Sequence, residues 1–211
     1  MIQWVYEVAC RSRRLDRVLI ATDDARIFET ASGFGAEVVM TRAGHASGTE
    51  RVAEAAAPLD ASIIINVQGD EPLIEGAMLD SLVEALGDPA VSMATLMARV
   101  KEMELLRDPN TVKVIADKDG WALYFSRAPI PCGASDYFFQ HIGIYGYRKD
   151  FLTDFERLPK SRLESIEKLE QLRVLENGLK IKMIEISHPT LSVDTPQDII
   201  KVENFLKAKT R

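Results

Sequence analysis

The apolar and polar positions of this chain change period repeatedly, from the spacing typical of helices to the short runs typical of buried strands. Residues 2–9 carry apolar side chains at helical spacing, so the sequence predicts a helix at its start. Strands are then predicted at 17–23, 36–40 and 62–67, and helices at 24–34, 49–57 and 75–86. This alternation predicts an α/β fold with right-handed crossovers and a mainly parallel, layered sheet.

The second half of the chain has a different pattern. Strands are predicted at 91–100, 111–116, 121–126, 138–148 and 179–186. Asp117-Lys118-Asp119-Gly120 separates two alternating runs and is a hairpin signal. A helix is predicted over 162–177, and Thr195 opens a last helix with proline at its first position. Since no linker or repeat is visible, we predict one domain over residues 1–211.

Composition excludes several classes of function. The 211 residues include 26 basic and 32 acidic side chains, for a net charge of −6, which argues against a general nucleic-acid or anionic-membrane surface. Apolar residues make up 46% of the chain, but no run is long enough to span a bilayer and no secretory segment is visible. We therefore expect a cytoplasmic protein that binds neither nucleic acid nor membrane, although a small basic pocket for phosphate remains compatible with this charge.

The most informative stretch is Asn66-Val67-Gln68-Gly69-Asp70-Glu71-Pro72, because it directly follows a predicted buried strand. Ligands of open α/β sheets bind beyond the carboxyl ends of the strands. Asp70 could hold a hard cation there, and Mg²⁺ with a nucleoside triphosphate is the natural candidate. The alternative is a polar loop that only begins the next helix.

Asp194 is the acidic residue that we pair with Asp70. It follows Ser192-Val193, a short strand-like segment, and precedes the last helix. Two carboxylates at neighbouring strand ends could bind Mg²⁺ and leave positions open for phosphate oxygens and water. The alternative is helix capping, because Asp-Thr-Pro-Gln-Asp is also a good helix start.

A third motif is Ser47-Gly48-Thr49-Glu50-Arg51. Glycine permits close backbone approach, and the helix N-terminus behind it offers N–H groups to an anion or a base edge. Arg51 lies one turn into that helix. The same residues would also make an ordinary helix cap.

Polar side chains in the second half could contact a sugar acid. Arg127 ends a predicted strand and suits a carboxylate, and His141 and Tyr145 are four residues apart on another strand, with Gly143 between them. Packing of a half-buried histidine and tyrosine is the alternative. A further set of charged and polar residues, namely Glu164, Glu167, Glu170, Gln171 and Arg173, follows one predicted helix and is typical of a solvated surface.

Taken together and in this order, these motifs resemble the CMP-Kdo synthetases, or 3-deoxy-manno-octulosonate cytidylyltransferases. The matching runs cover nearly the whole chain: 21–23, 47–51, 66–72, 122–127, 141–148, 166–173 and 193–195. The resemblance implies a Rossmann-like sheet of the nucleotide-diphospho-sugar transferase type with a smaller antiparallel part. It also implies transfer of CMP from CTP to Kdo (3-deoxy-manno-octulosonate) for lipopolysaccharide biosynthesis, dependence on Mg²⁺, and a homodimer.

Residue roles follow from the resemblance by motif. Those implied for metal binding and catalysis are Asp70 and Asp194, with Gln68 at the reacting centre. Those implied for the nucleotide are Asp23, Ser47, Gly48, Arg51 and Gln68. Those implied for the sugar are Arg127, His141, Tyr145, Glu170 and Gln171. No residue is required to act as a covalent nucleophile, so positioning and charge stabilisation would supply most of the rate.

Two departures from the family pattern bear on these expectations. The family begins with a strand and a basic loop that surrounds the CTP phosphates, whereas this sequence starts at the helix that follows them, so we expect an N-terminally truncated form with slower turnover of CTP. The segment 131–138 is also shorter than usual, which weakens the assignment of the sugar. The alternatives are therefore a cytidylyltransferase for a sialic acid or an amino-Kdo, or a non-catalytic remnant. A dehydrogenase is disfavoured because no Gly-x-Gly-x-x-Gly follows a predicted strand.

Overall fold

The computed structural model describes residues 1–155, 157–193 and 195–209. Within these ranges the helices, numbered α1 to α9, are Ile2–Ala9, Ala25–Gly33, Gly48–Ala56, Gly76–Leu86, Met103–Leu106, Lys149–Phe155, Arg162–Glu167, Leu172–Glu176 and Pro196–Lys209. The strands, numbered β1 to β8, are Ile20–Thr22, Val38–Met40, Ile63–Asn66, Met93–Val100, Lys113–Ala116, Ala122–Ser126, Phe138–Arg148 and Lys182–Ile186. The predicted α/β class is confirmed. None of the described helices is both long and apolar enough to cross a membrane.

The chain divides into two compact units. Unit 1 contains Met1–Pro58, Val67–Asp80 and Thr190–Arg211, and unit 2 contains Leu59–Asn66 and Ser81–Pro189. Unit 1 therefore includes the Ser47 and Asp70 motifs, whereas the Arg127 and His141 motifs belong to unit 2.

Unit 1 contains a βαβ element made by β1, α2 and β2. The two strands are parallel, with Ile20 opposite Val38. Asp24 caps α2 by accepting a hydrogen bond from the Arg26 amide at 2.8 Å, and Gly35 follows the helix with a φ of +82° that favours glycine. Because the strands run in the same direction, the residues that follow them emerge at one edge of the pair.

Unit 2 is built on a six-stranded mixed sheet. The strand order is β6-β5-β7-β4-β8, and β3 also pairs with β7. β4 and β8 are parallel, whereas the remaining pairs of this sheet are antiparallel. The predicted hairpin at 117–120 joins β5 to β6, and Gly120 has a φ of +76° in its turn. Beyond the strands themselves, Trp121 bridges to Lys182, so β6 and β8 approach each other at one end.

The long strand β7 forms the centre of unit 2 and spans the 11 residues that the sequence predicts. Its Gly146 is packed so closely that a Cβ there would lie 2.6 Å from Leu86 Cδ1 and 3.0 Å from Ile65 Cδ1. The next residue, Tyr147, is 1% exposed, and its ring stacks on that of Phe151 at 6.5 Å. A side chain larger than hydrogen at Gly146 would therefore displace part of this core.

Two local predictions are wrong. The helix predicted over 162–177 is divided into α7 and α8, because Lys168 adopts left-handed backbone angles with a φ of +56° and ends α7. The strand-like segment Ser192-Val193 forms no strand. A segment of two residues is too short a pattern to predict a strand.

Candidate functional site

Arg51 is held at the edge where β1 and β2 end. Its Nη1 donates to Thr41 Oγ1 at 2.6 Å, and its Nη2 donates to Asp23 Oδ2 at 2.9 Å. Asp23 directly follows β1 and Thr41 directly follows β2. The hydrogen bond from Arg51 lowers the pKa of Asp23 below its usual value. The structure therefore brings Asp23 and Arg51 together with a fixed orientation of the guanidinium group, and it adds Thr41, which the sequence motifs did not single out.

Ser47, Gly48 and Gln68 lie together at the N-terminus of α3. Ser47 caps the helix, and its Oγ accepts a hydrogen bond from the Glu50 amide at 3.3 Å. Opposite Gly48 lies the side-chain amide of Gln68, since a Cβ on that glycine would be 3.2 Å from Nε2 and 3.3 Å from Oε1. The capping alternative is thus correct for Ser47, and it does not exclude binding, because the helix N-terminus and the Gln68 amide present polar groups side by side.

Asp70 is half-buried in unit 1. Its main-chain carbonyl accepts a hydrogen bond from the Val193 amide at 2.9 Å. Val193 precedes Asp194 in the sequence, and Asp194 itself lies outside the described residues. Across the described ranges no group of three or more His, Cys, Asp or Glu side chains could hold a metal ion.

Arg127 is surrounded by main-chain and carboxylate partners in unit 2. Its Nε donates to the Glu167 carbonyl at 3.0 Å and its Nη1 donates to the Pro109 carbonyl at 2.9 Å. The Arg127 amide donates to the Glu167 carboxylate at 2.9 Å, which also accepts from Ser126 Oγ at 2.7 Å. In the described part of the chain, Nη2 of Arg127 has no hydrogen-bond partner. This nitrogen can therefore donate to a further acceptor, and its binding of a carboxylate stays a prediction.

Lys113 contacts the main chain of Arg127, although the sequence motifs did not single out this lysine. Its side chain is fully buried on β5, and its Nζ donates to three main-chain carbonyls, those of Asp108 at 3.0 Å, Thr111 at 2.6 Å and Arg127 at 2.5 Å. Burial lowers the pKa of Lys113. A lysine between apolar residues at an inward strand position was the signal that could have identified it, because such a charge is rarely buried without partners.

His141 and Tyr145 lie close together on β7. Their ring centroids are 5.5 Å apart, and the rings of Phe125 and His141 pack edge to face with centroids 4.9 Å apart. Burial lowers the pKa of His141 to about 3, so the ring is neutral at pH 7. Burial also raises the pKa of Tyr145 well above its usual value, with smaller contributions from Tyr147 and Glu170. The packing alternative is therefore correct for this pair, and sugar binding by the two side chains stays a prediction.

The break between α7 and α8 places Glu170 and Gln171 outside regular helix. Gln171 is 4% exposed, and its buried Nε2 has no hydrogen-bond partner in the described residues. The prediction that this region is a solvated surface is wrong, because Arg173 is also 4% exposed and pairs with Glu164 at 2.5 Å. A buried amide that lacks a partner is a donor for an oxygen acceptor from outside the chain.

Comparisons with known proteins show the family to which this chain belongs. The sequence profile of the Cytidylyltransferase family matches residues 1–181. This chain belongs to the cytidylyltransferase family. It is 51% identical over 220 residues to a 3-deoxy-manno-octulosonate cytidylyltransferase of Syntrophotalea carbinolica, with 98% of this chain and 88% of the relative covered. It is 46% identical over 222 residues to the protein of the same name from Geobacter sulfurreducens, with 98% and 89% covered.

A solved structure gives the same result for the fold. The structure of CMP:2-keto-3-deoxy-manno-octonic acid synthetase in complex with CTP is 39% identical in sequence and matches with a TM-score of 0.92. The match covers 99% of this chain and 88% of that one. Membership of the cytidylyltransferase family thus extends over both units, and the nucleotidyltransferase architecture implied by the sequence motifs is confirmed.

Proposed function

We propose that this cytidylyltransferase moves CMP from CTP to the anomeric hydroxyl of Kdo, releasing pyrophosphate and forming CMP-Kdo for lipopolysaccharide biosynthesis. The observation that carries the proposal is the match over 99% of the chain, at 39% identity and a TM-score of 0.92, to a CMP-Kdo synthetase in complex with CTP. The relatives from Syntrophotalea carbinolica and Geobacter sulfurreducens bear the corresponding name.

In this proposal unit 1 binds CTP. The N-terminus of α3, capped by Ser47, directs main-chain N–H groups outward, and because Gly48 has no side chain the Gln68 amide packs directly against this end of the helix. Arg51 contributes positive charge from a position fixed by Asp23. A helix N-terminus and an oriented guanidinium group are the elements that suit a polyphosphate, because both favour negative charge.

We further propose that Asp70 and Asp194 bind Mg²⁺. Carboxylates are hard oxygen donors, which is the ligand type that Mg²⁺ prefers. The hydrogen bond between Val193 and the Asp70 carbonyl supports the pairing, because it joins the chain next to Asp194 to the main chain of Asp70. Bound there, the ion would neutralise phosphate charge and increase the electrophilicity of the α-phosphorus. Gln68 would orient the reacting groups.

Unit 2 would bind the sugar acid. Nη2 of Arg127 would donate to the Kdo carboxylate, and the buried Nε2 of Gln171 would donate to a sugar oxygen. His141 and Tyr145 would contact hydroxyl groups from β7, with Glu170 accepting from another. Five side chains that differ in charge and in hydrogen-bonding capacity would thus distinguish an acidic sugar from a neutral one.

A pyrophosphate-release assay with CTP, Kdo and Mg²⁺ tests the proposal. We expect release only when all three are present, and a fall of at least 100-fold for Asp70→Asn, a magnitude typical of losing a group that stabilises transferring charge. Asp60→Asn is the matched control, because Asp60 is exposed and carries no role here. Faster release with a sialic acid or an amino-Kdo would assign a different sugar. CTP binding in calorimetry without any release would assign a non-catalytic nucleotide-binding protein.

Two further parts of the proposal concern the state of the protein. We propose a homodimer, as the family resemblance implies, and a cytoplasmic location, as the composition of the sequence predicts. Sedimentation equilibrium at micromolar concentration would give twice the 23.5 kDa chain mass for a dimer. Fractionation of cells that produce the protein would test the location.

A further inference from the structure

The hydroxyl of Thr95 is the centre of a buried hydrogen-bond cluster in unit 2. Thr95 is 0% exposed, and its Oγ1 lies 2.8 Å from the Ile144 carbonyl, 3.1 Å from the Ile142 carbonyl and 3.0 Å from His141 Nε2. These three partners all belong to β7. They surround the irregularity in β4–β7 pairing, where the register shifts between Thr95 and Leu96. One side chain of β4 therefore contacts both the backbone of the irregular segment and the histidine beside it.

One arrangement of the protons gives the Thr95 hydroxyl the most hydrogen bonds in this cluster. A threonine hydroxyl carries one proton and accepts through its lone pairs, whereas the two carbonyl oxygens can only accept. If the hydroxyl proton pointed to His141, both carbonyl oxygens would face oxygen lone pairs at 2.8 and 3.1 Å, which is repulsive. The hydroxyl therefore donates towards the carbonyls, and the nearer is that of Ile144. Oγ1 then accepts the hydrogen bond from His141, which must carry its proton on Nε2.

The other ring nitrogen follows from this assignment. A neutral imidazole has one N–H, so Nδ1 of His141 carries a lone pair and acts only as an acceptor. Nε2 is the ring nitrogen with a hydrogen-bond partner among the described residues, and no such partner contacts Nδ1. The ring is also held in place by packing against Phe125 and Tyr145.

We propose that Thr95 is a positioning residue that fixes His141 as the Nε2–H tautomer, so that Nδ1 accepts a hydrogen bond from a hydroxyl of the sugar acid. This inference rests on the proposed function for the identity of the ligand, although the tautomer itself does not. Thr95 touches no substrate, and it acts by deciding which atom of His141 is presented to the ligand. The sugar group that faces Nδ1 must then be a hydrogen-bond donor. A sugar-acid analogue with a deoxy or methoxy group in its place would lose this hydrogen bond.

Nitrogen-15 NMR of the histidine rings tests the tautomer directly in the wild-type protein without ligand. The chain contains three histidines, and His141→Gln assigns the relevant signals by their disappearance. We expect a protonated Nε2 and an unprotonated Nδ1 at pH 7 for His141. A protonated Nδ1 would overturn the proposal whether or not the enzyme uses Kdo.

Steady-state kinetics test the positioning role. Thr95→Val keeps the shape but removes the hydroxyl, and we expect the KM for the sugar acid to rise about tenfold, the effect of one lost hydrogen bond, while the KM for CTP stays within about twofold. Thr95→Ser keeps the hydroxyl and is the matched control, with the wild-type tautomer and KM. A folded Thr95→Val protein with an unchanged KM for the sugar acid would refute the role.

The two tests remain separate from the proposed function. Turnover of another sugar acid by the wild-type protein would overturn the choice of Kdo, whereas the NMR result on the tautomer would stand. If Thr95→Val does not fold, Thr95→Ala replaces it in the kinetic test, and the wild-type NMR experiment decides the tautomer in either case. A serine variant that has the Nδ1–H tautomer with an unchanged KM for the sugar acid would contradict the proposal.

Discussion

Replacing Lys113 with methionine is the sharpest test of how unit 2 holds Arg127. The lysine Nζ is hydrogen-bonded to the carbonyls of Asp108, Thr111 and Arg127. Methionine has a similar length and no donor, so Lys113→Met removes these bonds without opening a large cavity. Since the main chain of Arg127 is one of the three partners, the substitution acts on stability and on the sugar-acid site at once.

The expected magnitude follows from the burial of each partner. The Thr111 carbonyl bonds Nζ in a buried setting, and leaving such a carbonyl without a donor costs about 1–3 kcal/mol. The carbonyls of Asp108 and Arg127 are part-buried, so water replaces their lost bonds at smaller cost. These losses are partly offset, because burial disfavours the charged form of Lys113 and lowers its pKa, whereas methionine places no charge at this position. We therefore expect the free energy of unfolding to fall by about 2 kcal/mol.

Urea unfolding followed by tryptophan fluorescence measures this change, and Lys118→Met is the matched control at an exposed position of the hairpin turn. The control should stay within about 0.5 kcal/mol of wild type. In kinetics, Lys113→Met should raise the KM for the sugar acid and leave that for CTP unchanged, because Arg127 loses its main-chain support. A loss of stability no larger than that of Lys118→Met would show that the three hydrogen bonds make no net contribution to the free energy of unfolding.

Three further predictions use other contacts. Burial lowers the pKa of His141 to about 3 from 6.5, so between these values the unfolded state binds one more proton and the free energy of unfolding falls as pH decreases. In urea unfolding between about pH 5.5 and 4, wild type should lose about 1.4 kcal/mol per pH unit relative to His141→Gln. Parallel pH curves for the two proteins would contradict the lowered pKa. Gly146→Ala should lower the free energy of unfolding by about 1–3 kcal/mol, because its Cβ would overlap a buried leucine. Gly143→Ala has nothing within 4 Å of its Cβ and should lose less than half as much, whereas equal losses would contradict the close packing of Gly146. Arg51→Met should raise the KM for CTP about tenfold. The free energy of unfolding should change by less than about 1 kcal/mol, because the partner Asp23 is partly exposed. An unchanged KM for CTP would show that Arg51 does not belong to the nucleotide site.

Local signals explain the parts of the fold that the sequence predicts well. The strand at 138–148 matches β7 at both ends, since a long run rich in aromatic and β-branched residues is typical of a strand. The hairpin at 117–120 is confirmed because aspartate and glycine favour the turn, and Gly120 adopts the positive φ that such a turn requires. These features depend on residues that are adjacent in sequence, so the pattern alone contains the information.

The geometry around the sugar-binding candidates depends instead on interruptions of regular structure. Residues four apart on a regular strand are separated by about 13 Å, yet the rings of His141 and Tyr145 are 5.5 Å apart, beside the register shift opposite Thr95. Similarly, nine residues of continuous helix span about 13 Å along the axis, so Glu164 and Arg173 can pair at 2.5 Å only because the helix breaks at Lys168. No periodicity predicts a break that occurs at a lysine with a left-handed backbone.

Each candidate ligand site is held in place by residues of its own unit. Thr95 and Lys113 find the hydrogen-bond partners described above within unit 2, and Arg51 and Ser47 find theirs within unit 1. Groups that are oriented before a ligand arrives lower the ordering cost of binding. Substitutions of the supporting residues in unit 2 should therefore raise the KM for the sugar acid alone, and those in unit 1 the KM for CTP alone. Equal effects on both constants from Thr95→Val or Lys113→Met would show that unit 2 does not order its own ligand site independently.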